Sequence, residues 1–331
     1  MGMTDTVTKE YMRGNRVFAD AFNYLIYDGA RVVKPELLQE LDTTEIAIPF
    51  ALGEENTTEE AVQKYRDVLK STVIMQDTTA SYILLGIEDQ TDVHYAMPVR
   101  NIIYDALQYG KQVSEVAKKH KNQGDRKGHN KGEYLSGFYK EDRIRPVVTL
   151  VVHFGADEWD GPLSLCEMMD LKDERLLEFV QDYRIFLIDP YKLTANDLEK
   201  FSSSLGDVLG YIKYSKDKKA LSKFLNDSKA MIMDNDAARV IRDTTNTPIY
   251  VPDGKGEIDM CKAVKDMLDE SKTKGLAEGK AEGRAEGRAE GFSQLSKLIE
   301  LLSDEERYAD IKKIAKDAAY RDMLMKEYNL I

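Results

Sequence analysis

The sequence predicts an α/β protein, with a mixed sheet flanked by helices, a helical elaboration after the sheet and a helical C-terminal tail. Two apolar runs rich in β-branched residues flank a turn-forming segment, and a later apolar run is long enough for a strand buried on both faces. Stretches with helical spacing of apolar residues precede and follow these runs. Helices packed on the faces of a sheet form a common layered architecture. With 331 residues, 42% of them hydrophobic, the chain can bury a sizeable core.

The first predicted elements are two helices and a strand. Residues 15–27 are predicted to form a helix, because their apolar side chains recur three and four positions apart. Asp20 lies near this apolar face, where it either helps to anchor a metal ion or is an exposed or capping carboxylate. Pro35 is predicted to open a short helix that ends at Leu41, and residues 45–50 are predicted to form the first strand. The apolar side chains of the first helix are Val17, Phe18, Ala21, Phe22, Leu25 and Ile26.

A β-hairpin is predicted over residues 67–90, where two apolar runs flank a short turn-forming segment. If the chain folds back at the centre of this segment, Asp67 lies opposite Glu88 or Gln90 on the next strand. Because side chains alternate between the faces of a strand, Glu88 and Gln90 point the same way, and the Asp89 side chain is expected to point away.

The carboxylates of Asp67 and Glu88 would repel each other at the end of this sheet. At a separation of about 4 Å the repulsion is roughly 4 kcal/mol for an effective dielectric constant near 20. A divalent cation removes this cost, and Mg²⁺ prefers one or two carboxylates together with water and phosphate oxygens. The spacing therefore indicates a metal-dependent phosphodiesterase, in which the metal lowers the pKa of an attacking water. The alternative is a solvated hairpin end.

A helix is predicted after the hairpin, from Pro98 to about Lys119, with a buried apolar stripe. Arg100, Tyr104 and Gln108 lie four positions apart and form a flanking stripe. The planar guanidinium of Arg100 suits a carboxylate of the site or a phosphate, and the alternative is an ordinary salt bridge on the helix surface.

Residues 111–145 are basic within an acidic chain. They contain ten Lys and Arg against five Asp and Glu, a net charge of +5, whereas the whole chain has a net charge of −12. The negative overall charge argues against a protein that coats nucleic acid nonspecifically. A local basic surface beside the acidic site would nevertheless suit the binding of DNA phosphates. The same run is equally consistent with a solvated, mobile loop. The candidate DNA-binding residues are Lys118, Lys119, Lys121, Arg126 and Lys127 of this run, together with Arg100 and Tyr104 of the preceding helix.

The remaining elements complete the α/β pattern. Residues 146–154 are predicted to form a strand buried on both faces, and residues 183–188 a further strand. Residues 193–212 and 216–232 are predicted to form amphipathic helices.

The C-terminal tail contains a four-residue repeat, Ala-Glu-Gly-Lys or Arg, over residues 277–291. Each glycine lowers the stability of a lone helix by almost 1 kcal/mol relative to alanine. Residues of like charge lie four positions apart in the repeat, and their repulsion is mildly destabilising. The repeat is therefore either a flexible linker or a helix that is stable only when paired. The predicted domains are residues 1–254 with a core at about 15–190, residues 255–293 with a helix and the repeat, and residues 294–331, a helical module suited to self-association.

Several protein classes are not indicated. The longest apolar runs fall short of the ~20 residues of a membrane span, and the first residues lack the apolar region of a signal peptide. Cys166 and Cys261 are too few for a disulfide framework or a cysteine-based zinc site, so a reducing cytoplasm is expected. No phosphate-binding loop, G-x-S-x-G turn or H-E-x-x-H helix occurs.

The chain has an aspartate on one strand, a following strand that ends Glu88-Asp89-Gln90, and then a helix. This order resembles the PD-(D/E)XK nuclease signature. More specifically, the chain is similar to the recombination-promoting nuclease (Rpn) family, also called YhgA-like transposases. The order of several motifs carries this resemblance over roughly the first two thirds of the chain. They are residues 18–23, Asp67, Glu88 to Gln90, His94, Arg100, Tyr104 and the strand and loop from Arg145 to Trp159.

The resemblance implies a restriction-endonuclease-like fold and a DNA endonuclease that depends on Mg²⁺, with Mn²⁺ as a substitute. Asp67 and Glu88 would bind the metal directly, and Asp89 would contribute its backbone carbonyl. Gln90 would take the catalytic position where many nucleases have lysine. Because a neutral amide cannot act as a general base or supply positive charge, weak or conditional activity is expected.

The family further implies a role in recombination or in mobile elements, with DNA as the partner. The competing hypothesis is a catalytically idle module that binds DNA or protein. Under either hypothesis, the C-terminal helices could join copies of the chain into a homo-oligomer.

Overall fold

The computed structural model describes residues 3–41, 44–47, 62–65, 67–76, 79–123, 130–170, 174–227 and 231–331. The chain divides into two compact units, Met1–Ala263 and Val264–Ile331. A mixed sheet flanked by helices lies in the first unit, which confirms the predicted α/β class and is consistent with a restriction-endonuclease-like fold.

The elements of the first unit alternate between helices and strands. The helices are α1 (Met3–Arg13), α2 (Asn15–Tyr27), α3 (Met97–Gln123), α4 (Lys131–Ser136), α5 (Ala195–Leu198), α6 (Leu205–Tyr214), α7 (Lys218–Asp227) and α8 (Asn235–Thr245). The strands are β1 (Gln39–Glu40), β2 (Thr44–Ala47), β3 (Val62–Tyr65), β4 (Val68–Gln76), β5 (Thr79–Gln90), β6 (Val147–His153), β7 (Phe186–Ile188), β8 (Ile232–Asp234) and β9 (Glu257–Asp259). Turns of 3₁₀ helix cover Pro35–Leu37, Cys166–Met168 and Glu174–Phe179.

The main sheet has the strand order β1-β4-β5-β6-β7 within the described part of the chain. β1, β4 and β5 are antiparallel neighbours, whereas β5, β6 and β7 run parallel. β6 is the fourth strand in this order, and most of its residues are buried, as expected for an internal strand of a sheet covered on both faces. The buried strand predicted over residues 146–154 is therefore confirmed.

The predicted hairpin is confirmed as β4 and β5. Its pairing runs from Val68 opposite Ile87 to Gln76 opposite Thr79. The β-branched and apolar residues of both strands are the reason for this pairing, because Val68, Ile87 and their neighbours are fully buried between the layers of the fold.

Helices α1, α4 and α8 and the ribbon of β8 and β9 are among the elements that were not predicted from the sequence. α1 precedes the first predicted helix, α4 lies between α3 and β6, and α8 lies between α7 and the predicted tail. α1 packs on α8, β4 and β5, and its buried residues Thr8, Tyr11 and Met12 lie three and four positions apart. β8 and β9 form a separate antiparallel ribbon beside α8.

Other predicted helices are shorter than expected. The helix predicted from Pro35 to Leu41 is only one 3₁₀ turn, because Gln39 and Glu40 pair with β4. The helix predicted over residues 193–212 is interrupted between α5 and α6. There, the backbone N–H groups of Ser202 and Ser203 bond to the carboxylate of Asp20 instead of continuing a helix.

The second unit is helical. It contains most of α9 (Met260–Asp304), together with α10 (Tyr308–Ile314) and α11 (Ala318–Glu327). The predicted boundary at residues 293 and 294 falls inside α9. A small core joins the end of α9 to α10 and α11, and it consists of Leu298, Leu302, Ile314, Leu324 and Met325.

The repeat over residues 277–291 is a continuous part of α9, so of the two predicted alternatives the helix is observed. Every residue from 268 to 293 is exposed in this single chain. Among the residues that the structure describes, no helix combines the length and the apolar composition needed to cross a membrane.

Candidate functional site at the end of the β4–β5 hairpin

Three carboxylates are buried at one end of the β4–β5 hairpin. Val68 pairs with Ile87, and this register continued by one residue places Asp67 opposite Glu88. Asp67 and Asp89 are each 7% exposed, and Glu88 is 0% exposed. The hairpin therefore places Asp67 and Glu88 at neighbouring positions, as the sequence predicted.

Glu88 is bound by a cation from α3. The Nη2 atom of Arg100 lies 2.9 Å from Glu88 Oε2, and Arg100 Nε donates a hydrogen bond of 3.2 Å to the hydroxyl of Tyr104. Burial is the largest single influence on the pKa of Arg100 and lowers it, but the charge of Glu88, the contact with Tyr104 and the charge of Asp67 together raise that pKa above its usual value. Asp67 contributes to the same increase, so Arg100 lies in the field of both carboxylates. Of the predicted alternatives, the pairing with a site carboxylate is observed.

The side chain of Asp89 lies beside Asp67, and the expectation that it points away was wrong. Asp67 occupies a bend before β4, so the alternation of side chains along a strand does not apply to it. The backbone N–H of Asp89 donates to Asp67 Oδ2 over 3.2 Å, and the hydroxyl of Thr8 donates to Asp89 Oδ2. Burial and the charge of Asp67 raise the pKa of Asp89 to about 8.

The helix α1 supplies a second cation to the cluster. Lys9 Nζ lies 3.5 Å from Asp67 Oδ1, and the Lys9 side chain is only 19% exposed. Thr8 and Lys9 were missed from the sequence because α1 was not predicted. The spacing of its buried residues, Thr8, Tyr11 and Met12, is the signal that could have revealed the helix.

Gln90 is half-buried at the end of β5. Its side-chain amide donates a 2.8 Å hydrogen bond to the backbone carbonyl of Asp89, the carbonyl that was expected to bind metal. A carbonyl oxygen has two lone pairs, so this bond leaves one acceptor site on it. The backbone carbonyl of Gln90 accepts a hydrogen bond from the N–H of Phe154, which fixes the end of β5 against the end of β6.

Asp20 is not part of the cluster as a metal ligand, which corrects the prediction. It is 2% exposed, and both of its carboxylate oxygens accept hydrogen bonds from the backbone N–H and hydroxyl groups of Ser202 and Ser203, at 2.6–3.0 Å. These donors already satisfy the carboxylate. Asp20 therefore joins α2 to the segment before α6.

Tyr104 is also placed differently from the prediction of a nucleic-acid contact. It is 3% exposed and its hydroxyl accepts from Arg100, so its ring is not available to stack on a base. Tyr104 instead holds Arg100 in position. A cleft of about 290 Å³ beside these two residues gives Arg100 access to solvent, and it is lined by His94, Ala96, Val99, Arg100, Ile103 and Tyr104.

The predicted basic surface is only partly described. Lys118, Lys119 and Lys121 are exposed on the last turns of α3, so this part of the run is a helix rather than a mobile loop. Eighteen residues separate Lys118 from Arg100, which corresponds to about 27 Å along a helix. These lysines therefore lie at the far end of α3 and not beside the carboxylates. Arg126 and Lys127 lie outside the described residues.

The residues at the cluster suit a hard divalent cation only with help from water or substrate. Within the described ranges, no group of three or more His, Cys, Asp and Glu side chains is arranged to hold a metal ion. Among the residues that the structure describes, none donates a hydrogen bond to the buried Oδ1 atom of Asp89, and the carboxylate of Asp67 lies beside this side chain. Mg²⁺ is commonly bound by one or two carboxylates plus waters and phosphate oxygens, and such an ion fits this pair.

Comparison with known proteins places the chain in a family. The family model described as "Putative transposase, YhgA-like" matches residues 34–238, which is more than half of the chain. No curated protein and no solved structure matched significantly. The matched residues include β4, β5, α3 and β6, with Asp67, Glu88, Asp89 and Arg100, but not α1 or α9. The chain therefore belongs to the family of YhgA-like transposases.

Proposed function

We propose that this protein is a metal-dependent DNA endonuclease that hydrolyses phosphodiester bonds, with a role in recombination or mobile elements. The observation that carries the proposal is the pair of buried carboxylates of Asp67 and Asp89, next to Glu88. Burial and the charge of Asp67 raise the pKa of Asp89, and one of its oxygens accepts no hydrogen bond from the described part of the chain. Such a pair is unfavourable unless a proton or a cation lies between the carboxylates.

Asp67 and Glu88 are the proposed direct ligands of Mg²⁺ or Mn²⁺, as the resemblance implies. The side chain of Asp89 lies beside Asp67 and is the alternative second carboxylate, since no three such groups in the described ranges are arranged to hold one ion. When bound, the metal would act as a Lewis acid on the scissile phosphate and lower the pKa of a bound water. The family membership supports DNA as the substrate.

The other residues of the site have proposed roles of their own. Arg100 has five N–H donors in a planar fork, so it can hold a phosphate oxygen while it remains paired with Glu88. Gln90 can orient water or a phosphate oxygen through its amide, but it cannot remove a proton. Lys118, Lys119 and Lys121 would contact the DNA backbone about 27 Å from Arg100, roughly eight base pairs along a duplex.

The second candidate function is a module that binds DNA without cutting it. Two features favour it: the ion pair that Arg100 forms with Glu88, and the neutral Gln90 in place of lysine. Both hypotheses share a proposed self-association through the exposed repeat helix of α9, which the fully exposed residues 268–293 support.

The two functions differ in one assay, the nicking of supercoiled plasmid DNA. We expect nicking by the wild-type protein with Mg²⁺ or Mn²⁺, no nicking with EDTA, and at least a 100-fold slower rate for Asp67→Asn. Asp182→Asn is a matched control, because Asp182 is also a carboxylate with an ion-pair partner, Arg184. If the wild-type protein retards DNA in a gel but leaves it intact with both metals, the binding function is correct. Undiminished cutting by Asp67→Asn would show that the site is elsewhere.

A further inference from the structure

We propose that Lys9 of α1 is a catalytic residue, which supplies the positive charge that Gln90 cannot supply to the reacting phosphate. This inference rests on the proposed nuclease function. The observation behind it is a contact that joins two separate parts of the chain: Lys9 Nζ lies 3.5 Å from Asp67 Oδ1, although α1 precedes the family match that begins at residue 34.

The position of Lys9 is fixed by contacts along the whole of α1. Next to it, Thr8 donates to Asp89 Oδ2, and one turn earlier Asp5 accepts a 3.2 Å hydrogen bond from Thr91, just beyond β5. Near the other end of the helix, the Tyr11 hydroxyl is 3.0 Å from the hydroxyl of Ser204. These contacts hold α1 on the hairpin, so the helix presents Lys9 at the cluster, where its side chain is only 19% exposed.

The end of α1 is held by a buried cation. Lys70 on β4 is 1% exposed, and its ammonium group donates to the backbone carbonyl of Arg13 and to the side chain of Asn15. Because Arg13 ends α1 and Asn15 begins α2, Lys70 fixes the junction of the two helices against the sheet. The rigid support is what a preorganised charge requires, since such a group stabilises a transition state without reorganising.

The charges at the cluster leave a distinct task for Lys9. Arg100 lies 2.9 Å from the carboxylate of Glu88, on the α3 side. The Gln90 amide is neutral and donates to the carbonyl of Asp89. A phosphate held at Asp67 would lie within a few ångströms of the Lys9 ammonium, which is within the range where opposite charges attract strongly in a partly buried site.

The reaction gives Lys9 a role that needs no proton transfer to it. A water oxygen forms a bond to phosphorus, the bond from phosphorus to the leaving ester oxygen breaks, and the leaving oxygen takes a proton from solvent. The proton of the attacking water passes to bulk water or to the substrate. The products are a phosphate monoester and a hydroxyl end. Lys9 stays protonated and stabilises the charge that builds on the phosphate oxygens in the transition state.

A merely structural Lys9 would have a different effect. In that case its ammonium neutralises Asp67 and helps to hold α1, so Lys9→Met would lower the melting temperature and disturb the metal site. A catalytic Lys9 instead changes the rate of cutting on bound DNA and leaves the free protein folded. Removal of its charge would leave Mn²⁺ affinity unchanged or raise it, because a competing cation is lost from Asp67.

The test compares full-length wild type, Lys9→Met, Lys9→Arg and the double variant Lys9→Met with Gln90→Lys. Single-turnover cutting of a duplex, DNA affinity in EDTA by fluorescence anisotropy, Mn²⁺ affinity by calorimetry and melting temperature are measured for each. Lys200→Met is the matched control, because Lys200 is also a partly buried lysine with carboxylate partners, Asp28 and Asp197, and it has no place in the site.

We expect Lys9→Met to cut about 100-fold more slowly, the size of effect seen when one preorganised donor is removed. Its DNA affinity, melting temperature and Mn²⁺ affinity should not fall. Lys9→Arg should keep a larger part of the cutting rate than Lys9→Met. Added to Lys9→Met, Gln90→Lys should raise the cutting rate at least tenfold, because it returns a positive charge to the same cluster. Lys200→Met should cut like wild type.

Three results would overturn the inference. If Lys9→Met cuts like wild type while Asp67→Asn does not cut, Lys9 has no catalytic role and the proposed nuclease function stands. If the slower cutting of Lys9→Met is matched by weaker Mn²⁺ binding and a lower melting temperature, and Gln90→Lys restores nothing, Lys9 is structural. If wild type itself does not cut with Mg²⁺ or Mn²⁺, the nuclease function fails and the role of Lys9 fails with it.

Discussion

At the scale of single residues, Asp89 is a buried carboxylate whose pKa is strongly raised by its surroundings. It is almost fully buried, it borders the charge of Asp67, and only the hydroxyl of Thr8 donates to its side chain among the hydrogen bonds described. Without a cation, the lower-energy state of this pair is the one that shares a proton. With a cation, both carboxylates can be ionised. The protonation of Asp89 and metal binding are therefore linked.

The first consequence is a dependence of stability on pH. Burial and the charge of Asp67 raise the pKa of Asp89 from 3.8 to about 8 in the folded protein. Between these values the folded state keeps a proton that the unfolded state has lost, so the contribution of Asp89 to the free energy of unfolding decreases as pH rises from about 4 to about 8. Urea denaturation in EDTA at several pH values across this range should show this decrease.

Asp89→Asn should remove this part of the pH dependence, because the amide does not titrate. Asp227→Asn, an exposed carboxylate at the end of α7, should retain it. With saturating Mn²⁺, the free energy of unfolding of the wild-type protein should fall less steeply as pH rises, since a bound cation compensates the charges of both carboxylates. If Asp89→Asn keeps the same slope as the wild type, the raised pKa of Asp89 does not contribute to stability.

At the scale of helices and strands, prediction from the sequence succeeded where a pattern is local and strong. The β4–β5 hairpin and β6 were predicted because long apolar, β-branched runs leave few alternatives. α1 was missed because its buried face is only three residues wide and partly polar, with Thr8 among them. The predicted site therefore lacked Lys9, since Lys9 reaches Asp67 from α1. Contacts between distant parts of the chain leave no local signal.

The break between α5 and α6 has the same origin. The sequence Phe201-Ser-Ser-Ser204 lies within a helical pattern, but Asp20, more than 180 residues earlier, accepts the hydrogen bonds of Ser202 and Ser203. A buried carboxylate that accepts several N–H and O–H groups stabilises a non-helical backbone at this point. The position of Asp20 on the apolar face of α2 was visible in the sequence, whereas its partners were not.

A substitution at Asp20 separates its two possible roles. We expect Asp20→Ala to lower the free energy of unfolding by about 1–3 kcal/mol, because the N–H groups of Ser202 and Ser203 lose the buried carboxylate that accepts their hydrogen bonds. Asp20→Asn should cost less, since it keeps one acceptor oxygen. Calorimetry should find the Mn²⁺ affinity of the folded variants unchanged. Weaker Mn²⁺ binding with unchanged stability would instead make Asp20 a metal ligand.

At the scale of the whole molecule, the repeat helix in α9 is the feature that a single chain does not explain. A helix exposed on all sides, with a glycine in every fourth position, lacks both packing and favourable propensity. Apart from its chain neighbours and the adjacent backbone of α9, an added Cβ atom at Gly279, Gly283, Gly287 or Gly291 would meet no described atom within 4 Å, so packing inside the chain does not require these glycines. Close approach of a second helix would use them.

The charge pattern of the repeat favours two parallel copies of this chain. Consecutive residues are about 100° apart around a helix, so glutamates flank the glycine stripe on one side and lysine or arginine flanks it on the other. In a parallel pair, the acidic side of one helix faces the basic side of its partner. In an antiparallel pair, like charges face each other. The parallel arrangement therefore places opposite charges opposite each other, and this attraction offsets the repulsion between like charges within each helix.

This arrangement predicts the behaviour of a cysteine placed in the stripe. Gly275 lies four residues before Gly279 and extends the glycine stripe. In a background with Cys166→Ser and Cys261→Ser, we expect Gly275→Cys to form a disulfide between two copies on mild oxidation, because a parallel, in-register pair brings identical positions together. Light scattering should give twice the chain mass for the unmodified protein at micromolar concentration. Replacement of Lys280, Arg284 and Arg288 by glutamate should give a monomer, whereas the same number of exposed substitutions at Lys312, Lys313 and Lys316 should not. A wild-type protein that stays monomeric, or a Gly275→Cys variant that cross-links only to a Gly291→Cys partner, would contradict parallel pairing.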